Sequence, residues 1–208
     1  MQTLDPNFST TLRASREAGI APVSFFWVRA RNRDTGAEQT MGLWSGDDDI
    51  TETVQTPDGG TASRTYLGGC NLSIPDGIPL VADLTDNPVT VAVSQIADAT
   101  QQLVRGYDVR LAYCEIHQTS WVGGAFASVP QLQWVGVVDD TPIATPQVGG
   151  DGNIGFTVRS ELMAQLTAIN PAKSSDSHQK RRQAGDRFSE GSGTVQARKV
   201  QWFYKKQD

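Results

Sequence analysis

The sequence contains few of the residues on which metal and redox chemistry depend. It has two cysteines, Cys70 and Cys114, far apart and without a Cys-x-x-Cys spacing, and two histidines, His117 and His178. This pattern favours buried free thiols in a reducing compartment over a disulfide or a metal site. We therefore expect no cofactor and no metal ligands.

Long apolar runs are also missing. No segment approaches the ~20 apolar residues of a membrane span, and residues 1–5 lack the basic and apolar regions of a signal peptide. The sequence thus predicts a protein that is made and assembled in the cytoplasm, with no membrane insertion by this chain.

Nucleotide-binding and catalytic patterns are lacking as well. The glycine-rich pieces at 67–69 and 149–152 have neither a phosphate-loop lysine nor a Gly-x-Gly-x-x-Gly pattern, so they are interpreted as turns. Cys114 and His117 lie three residues apart on a predicted strand, and strand geometry places them on opposite faces. Spacing leaves Cys70 with His117 open, but no local motif supports that pair. We predict no catalytic residues and no enzyme activity.

Charge is distributed unevenly along the chain. Residues 1–158 carry 8 Lys/Arg against 18 Asp/Glu, a net of −10, and residues 159–208 carry 10 against 5, a net of +5. Opposite patches of this kind suit contact between one subunit's tail and another's body, because complementary charge steers and registers partners. Neutralisation within one chain is the alternative. The three consecutive acids at 47–49 are predicted to form a solvated loop, since they cannot all face one cation.

Turn residues and strand-forming runs indicate a mainly β fold. Glycine and proline make up 30 of 208 residues, which favours many turns and few long helices. A short helix is predicted from Asp5-Pro6 to a stop at Gly19. The predicted elements that follow are a hairpin of 23–31 and 38–44, an exposed hairpin within 51–71, a strand at 89–96, a helix at 97–105, a strand at 107–116, a loop at 121–131, a strand at 132–138, a turn at 147–153, a return strand at 154–166 and a final strand at 194–204.

These elements predict β-barrel or sandwich modules with one or two short helices and an extended basic arm. We expect a β-rich body over 1–173, an arm over 174–193 and a C-terminal strand over 194–208. That strand places Val200, Trp202 and Tyr204 on one face. The five tryptophans fall mostly in predicted strands and are interpreted as core or interface anchors.

The arm, from Ser175 to Phe188, is the most informative segment of the chain. It has no apolar period that would bury it as a helix or strand, and it is strongly basic in an acidic protein. Nucleic-acid binding through residues 180–182 is conceivable, but the surrounding acidity argues against it as the main role. We expect the arm to dock on an acidic protein surface.

Taken in order, these features resemble the baseplate or tail-tip hub proteins of siphophages and gene transfer agents, over most of the chain from Leu4 to Phe188. The resemblance rests on degenerate motifs whose order is shared. They are Phe26-Trp27-Val28-Arg29 leading to Arg33-Asp34-Thr35-Gly36, the acidic piece 45–51 before a strand, Gly106-Tyr107-Asp108-Val109-Arg110-Leu111, Trp134-Val135-Gly136-Val137-Val138-Asp139, and Ser160-Glu161-Leu162.

The arm also matches a pattern common in related tail proteins, Ser-Asp-x-x-Gln-x-x-Arg-x-x-Gly-Asp-x-Phe. Several hub relatives hold an iron–sulfur cluster with cysteines in and just beyond this arm. This sequence departs from those relatives, because residues 174–188 contain no cysteine, and we therefore expect no cluster. The arm residues expected to contact neighbouring subunits are Ser175, Asp176, Gln179, Arg181, Arg182, Gly185, Asp186, Arg187 and Phe188.

The resemblance implies a virion structural protein of the tail tip, assembled in the host cytoplasm. It implies a homo-oligomeric ring, a trimeric hub that closes the tail tube and carries fibre or receptor-binding proteins. A hexameric distal-tail ring is the alternative within this class. Genomic DNA would pass the lumen of either ring without specific binding. From other classes, a tail-associated peptidoglycan hydrolase and a monomeric adaptor remain as alternatives.

Overall fold

A computed structural model describes residues 4–79, 86–143, 146, 152–167, 175–191 and 194. The chain divides into two compact units, Met1–Thr167 and Ala168–Asp208. The predicted boundaries at 173 and 193, the turn at 147–151 and the C-terminal strand with Val200, Trp202 and Tyr204 lie outside the described residues.

The larger unit is built from antiparallel strands. Seven strands form one sheet and two form a separate hairpin. In chain order the strands are β1 (Ala21–Asn32), β2 (Glu38–Trp44), β3 (Ile50–Gln55), β4 (Thr61–Tyr66), β5 (Val89–Ser94), β6 (Tyr107–Val122), β7 (Ala125–Phe126), β8 (Gln131–Asp140) and β9 (Asn153–Ser160). Hairpin β3–β4 is the two-stranded sheet. The prediction of a mainly β fold with few short helices is confirmed.

The two outer strands of the large, curled sheet are joined by the same segment. The strand order is β2-β1-β6-β8-β9-β5, with β7 beside β6. Residues 67–73 bridge the two edges: Leu67 pairs with Leu43 of β2, and Ser73 pairs with Ala92 of β5. The segment therefore satisfies backbone groups on both edges, which would otherwise be free to pair with other chains.

One apolar core fills the inside of the curled sheet. Strand β5 alternates buried and half-buried residues, and Val89, Val91 and Val93 point inward. Phe26 of β1 packs against Phe156 of β9 with ring centroids 5.4 Å apart. This is the alternation expected of a sheet with one face on a core. The core takes residues from six strands (β1, β2, β5, β6, β8 and β9), from the bridging segment and from a helix.

The helices begin and end where local signals place them. Helix α1 spans Pro6–Ala18, and the Asp5 carboxylate accepts hydrogen bonds from the Asn7 and Phe8 amides, as an N-cap does. Gly19 follows with φ +74°, confirming the predicted stop. Helix α2 spans Asp98–Gly106 and buries Leu103 in the core. No helix in the described parts of the chain is long and apolar enough to cross a membrane.

Two predicted elements are wrong in part. The predicted loop at 121–131 begins as strand: β6 continues to Val122, and a two-glycine turn with φ values of +59° and +88° returns the chain as β7. The predicted strand at 154–166 ends at Ser160, where helix α3 (Glu161–Thr167) begins. That segment is rich in strong helix formers, and Gln165 donates to Glu161 one turn earlier at 3.1 Å.

Close packing between β8 and β9 makes Gly136 a sensitive position. A Cβ at Gly136 would lie 2.2 Å from the Arg159 carbonyl oxygen, whereas a Cβ at Gly155 would meet nothing nearer than 3.7 Å. We expect Gly136→Ala to lower the free energy of unfolding by about 3 kcal/mol, as overpacking does, while Gly155→Ala changes it by less than about 1 kcal/mol. Urea denaturation of both variants measures this, and equal losses would contradict it.

Candidate functional site

Hairpin β3–β4 lies on the outer face of the curled sheet and covers a second apolar cluster. Phe25 stacks on Trp44 at 5.8 Å and meets Tyr66 edge-on at 5.0 Å. Val54 and Tyr66 of the hairpin are fully buried in this contact. The outer face of β1 and β6 is therefore an interior surface, which explains why consecutive residues of β6 are buried on both faces.

A buried ion pair joins the hairpin to the sheet. The Arg64 guanidinium of β4 donates from Nη1 to Glu115 Oε2 at 2.7 Å and from Nη2 to Glu115 Oε1 at 3.3 Å. The side chains are only 12% and 4% exposed. The guanidinium also lies over the Trp27 ring, 4.7 Å from its centroid. This two-point contact plus a cation–π contact suits arginine and not lysine.

The pKa of Arg64 reflects its partner. Burial by itself lowers the pKa of Arg64, but the hydrogen bonds and charge of Glu115 outweigh that effect and raise it. Tyr66 lies beside the same guanidinium, and burial raises the pKa of its hydroxyl. Tyr113 is the next residue on this face of β6, with Arg29 stacked 4.8 Å over its ring. Burial raises the pKa of Tyr113, and Glu115 raises it further.

His117 completes this group and is fully buried. Its Nε2 lies 2.8 Å from the Gln55 carbonyl oxygen of β3 and 3.4 Å from Glu115 Oε2. A carbonyl only accepts, so Nε2 carries the proton and Nδ1 is the unprotonated nitrogen. Nδ1 is buried without a hydrogen-bond partner among the described residues. Burial lowers the pKa of His117 to about 4, so the ring is neutral at pH 7.

This arrangement joins the hairpin to the sheet and keeps His117 and Glu115 away from solvent. His117 contacts both the hairpin and Glu115 but is shielded from solvent. Cys114 lies on the opposite face of β6, in the inner core, where its thiol contacts the Gly136 carbonyl oxygen at 3.5 Å. Burial raises the pKa of the Cys114 thiol. Within the described residues, no group of three or more His, Cys, Asp or Glu is placed to hold a metal ion.

Next to the hairpin, an apolar groove lies open to solvent. It encloses about 480 Å³ between β3 and the β6–β7 turn region. Trp121 and Phe126 form its aromatic wall with ring centroids 4.9 Å apart, and Trp121 is 44% exposed. Val129 and Pro130 line the floor beside Glu52 and Thr53 of β3. Exposed aromatic and aliphatic side chains around a groove suit contact with another chain.

The smaller unit contains most of the predicted arm. The arm is not fully extended: Asp176–Arg182 forms helix α4, with Ser175 before it. None of its residues is buried, so the helix draws on charge instead of an apolar face. Lys180 donates to Asp176 at 2.8 Å across one turn, and this hydrogen bond raises the pKa of Lys180.

The remaining arm residues lie in and after this helix with few partners. The Gln179 carbonyl accepts from the Gln183 amide, and the Asp186 carboxylate accepts from the Phe188 amide at 2.9 Å. Phe188 is 91% exposed. Arg181 and Arg182 are exposed, and Arg187 reaches Glu190 only at 4.0 Å. Nothing surrounds a Cβ placed at Gly185. Their proposed role in subunit contact stays a prediction.

Sequence reasoning missed Arg64 and Glu115. It considered His117 only as a partner for a cysteine. One signal was present: Glu115 interrupts the apolar run of β6 between Cys114 and Ile116, and a charge inside a buried strand requires a partner. The partner, Arg64, lies 51 residues away, and no spacing rule connects the two positions.

The comparisons with known proteins add no family to this description. No family model matches the chain, and no curated protein matches it.

Proposed function

We propose that this protein is a structural component of a phage tail tip, a ring-forming hub that closes the tail tube and links it to fibre or receptor-binding proteins. The observation that carries the proposal is the position of the polar contacts among Arg64, Glu115 and His117. Glu115 and His117 are buried beneath hairpin β3–β4, and Arg64 reaches Glu115 from the hairpin itself with a side chain only 12% exposed, so these groups join the hairpin to the sheet. What remains at the surface is suited to docking.

Two further observations support assembly over catalysis. The open groove carries Trp121 and Phe126, and aromatic side chains of these types are enriched in protein interfaces. The arm presents Arg181, Arg182 and Phe188 to solvent, and residues 1–158 carry a net charge of −10. The order of motifs shared with tail-tip hub proteins directs the proposal to phage tails.

In this proposal genomic DNA passes through the ring without specific binding. An acidic wall repels a polyanion, so DNA would not adhere to it. The exposed acidic residues Asp47, Asp48 and Asp49 are the first candidates for such a wall. The neighbours of the ring are then tail-tube proteins on one side and fibre proteins on the other.

Assembly of the purified full chain tests the proposal. We expect light scattering to give three times the 22.5 kDa of one chain, and six times that mass would favour the distal-tail ring. Arg181→Ala/Arg182→Ala/Arg187→Ala should weaken assembly at least about tenfold, because three cations that face an acidic body are lost. Arg13→Ala/Arg105→Ala, which removes two exposed helix arginines, is the control.

The body should remain folded in the triple variant, as circular dichroism and thermal melting would verify. Labelling of assembled virions with an antibody should mark the tail tip. A single-chain mass at all concentrations, or a label that never appears on virions, would overturn the proposal.

A further inference from the structure

The outer edge of strand β3 has unpaired backbone groups, and the hydrogen bonds at its end show which residues carry them. The Gln55 amide donates to the Pro130 carbonyl, and the Gln55 carbonyl accepts from His117, so both groups point away from β4. The next residue, Thr56, donates instead to Gly60 inside the hairpin. Backbone groups alternate along a strand, so Thr51 and Thr53 also direct their N–H and C=O groups outward.

Those outward groups are free among the described residues. Strand β3 pairs with β4 alone, and no described residue forms a main-chain hydrogen bond with Thr51 or Thr53 on the outer side. Both threonines are exposed. Four backbone groups in a row therefore form an open strand edge, a template for pairing with another chain.

The same edge borders the apolar groove. Thr53 and Glu52 form one side of the groove, and Trp121, Phe126 and Val129 form the rest. The groove is closed at Gln55, whose amide donates to the Pro130 carbonyl, so the free part of the edge lies at Thr51 and Thr53. An extended segment laid along β3 would gain main-chain hydrogen bonds on one side and aromatic contacts on the other, which is recognition by strand addition.

We propose that this edge and groove bind the C-terminal segment of a second copy of this chain, residues 200–204, as an added strand. That segment reads Val-Gln-Trp-Phe-Tyr and is followed by Lys205 and Lys206. Its residues have high β propensity, and alternate side chains of an added strand can enter one groove while the others face away. This proposal rests on the proposed function, because the ring of identical chains supplies the second copy.

Charge selects the direction of the added strand. Asp47 and Asp48 lie just before β3 and are exposed, whereas the carboxylate of Asp49 accepts from the Gly68 amide at 3.0 Å. An antiparallel segment would bring Lys205 and Lys206 beside these acids, whereas a parallel one would carry them to the closed end near Gln55. Opposite charge at the end of the pairing sets register and orientation. The segment therefore runs antiparallel to β3.

A pair of substitutions at Thr53 tests the backbone contact in the full chain. Thr53→Pro removes the outward amide without removing a bond to β4, and proline is tolerated on an edge that faces solvent. We expect Thr53→Pro to weaken self-association at least about tenfold, a loss of about 1.4 kcal/mol. Thr53→Val keeps the amide and should change it by less than about threefold. Sedimentation over a concentration series measures both.

Charge exchange tests the partner and its direction. Lys205→Glu/Lys206→Glu and Asp47→Lys/Asp48→Lys should each weaken self-association at low salt, and the chain that carries all four changes should recover it. A synthetic peptide of residues 194–208 should compete and lower the mean mass of the wild-type assembly.

The outcomes separate this proposal from the proposed function. If the wild type assembles but Thr53→Pro, the charge exchange and the peptide all leave the mass unchanged, the strand addition is wrong while a ring remains. If the wild type is a single-chain species, both are wrong. If only the arm variant weakens assembly, subunit contact resides in the arm and the groove proposal is overturned.

Discussion

Glu115→Gln should lower the free energy of unfolding by about 3–5 kcal/mol, the cost of leaving a buried charge without its partner. The substitution preserves the shape of the side chain but removes the charge that the Arg64 guanidinium contacts at 2.7 Å and 3.3 Å. Arg64→Met leaves Glu115 unpaired and should cost a similar amount. Urea denaturation at pH 7 measures each loss.

The double variant Arg64→Met/Glu115→Gln and an exposed pair supply the controls. The double variant should lose less than the sum of the single losses, because neither uncompensated charge remains. Glu38→Gln removes the partner of Arg29 at 3.4 Å, where the side chains are 66% and 50% exposed. It should cost less than about 1 kcal/mol. Additive losses in the cycle would mean that the two groups do not act as a pair.

Acidification should destabilise the protein through His117. Burial lowers the pKa of His117 in the folded state from 6.5 to about 4, so between these values the unfolded chain binds a proton that the folded chain does not. Stability therefore rises with pH across this window and is lost as the pH falls from about 6.5 to about 4. The loss from this group is roughly 3 kcal/mol, since one pH unit corresponds to about 1.4 kcal/mol.

His117→Gln isolates that contribution. Glutamine can still donate to the Gln55 carbonyl, but it does not titrate, so the dependence of stability on pH between 4 and 6.5 should become shallower than in the wild type. His178→Gln, a change in the smaller unit, is the matched control. In this variant the free energy of unfolding of the larger unit should depend on pH as it does in the wild type. Parallel curves for wild type and His117→Gln would show that His117 does not bind a proton on unfolding in this range.

Elements with local signals were predictable from the sequence. The start of helix α1 at Asp5-Pro6 and its stop at Gly19 were predicted correctly, because capping and positive φ depend on adjacent residues alone. Hairpin β3–β4 was predicted within residues 51–71, but as an exposed hairpin, whereas Val54 and Tyr66 are buried. Strand β5 followed from the alternation of residues 89–96 and ends two residues earlier, at Ser94. Helix α3 was missed because its short apolar sequence continues directly from strand β9 and was read as more of that strand. Helix α4 was missed because it is a short polar segment without an apolar period, stabilised by contacts one turn apart such as Lys180 with Asp176.

The groove was missed for a different reason. The glycine-rich region at 121–131 was predicted as a loop, so Trp121 and Phe126 were not expected to face each other across a two-residue turn. The open edge of β3 was equally invisible, because whether a strand has one neighbour or two depends on how strands from distant parts of the chain are ordered.

Composition and local pattern therefore suffice for the class of this protein: mainly β, with few thiols, a divided charge and a basic segment near the end. They suffice because local secondary structure depends on neighbouring residues, and net charge is a sum over the whole sequence. Pairing over long separations required the fold. Arg64 meets Glu115, His117 meets Gln55, and residues 67–73 join β2 to β5 only after the sheet has curled. Burial then makes the contacts among Arg64, Glu115 and His117 matter for stability, since the same charges in water would contribute little.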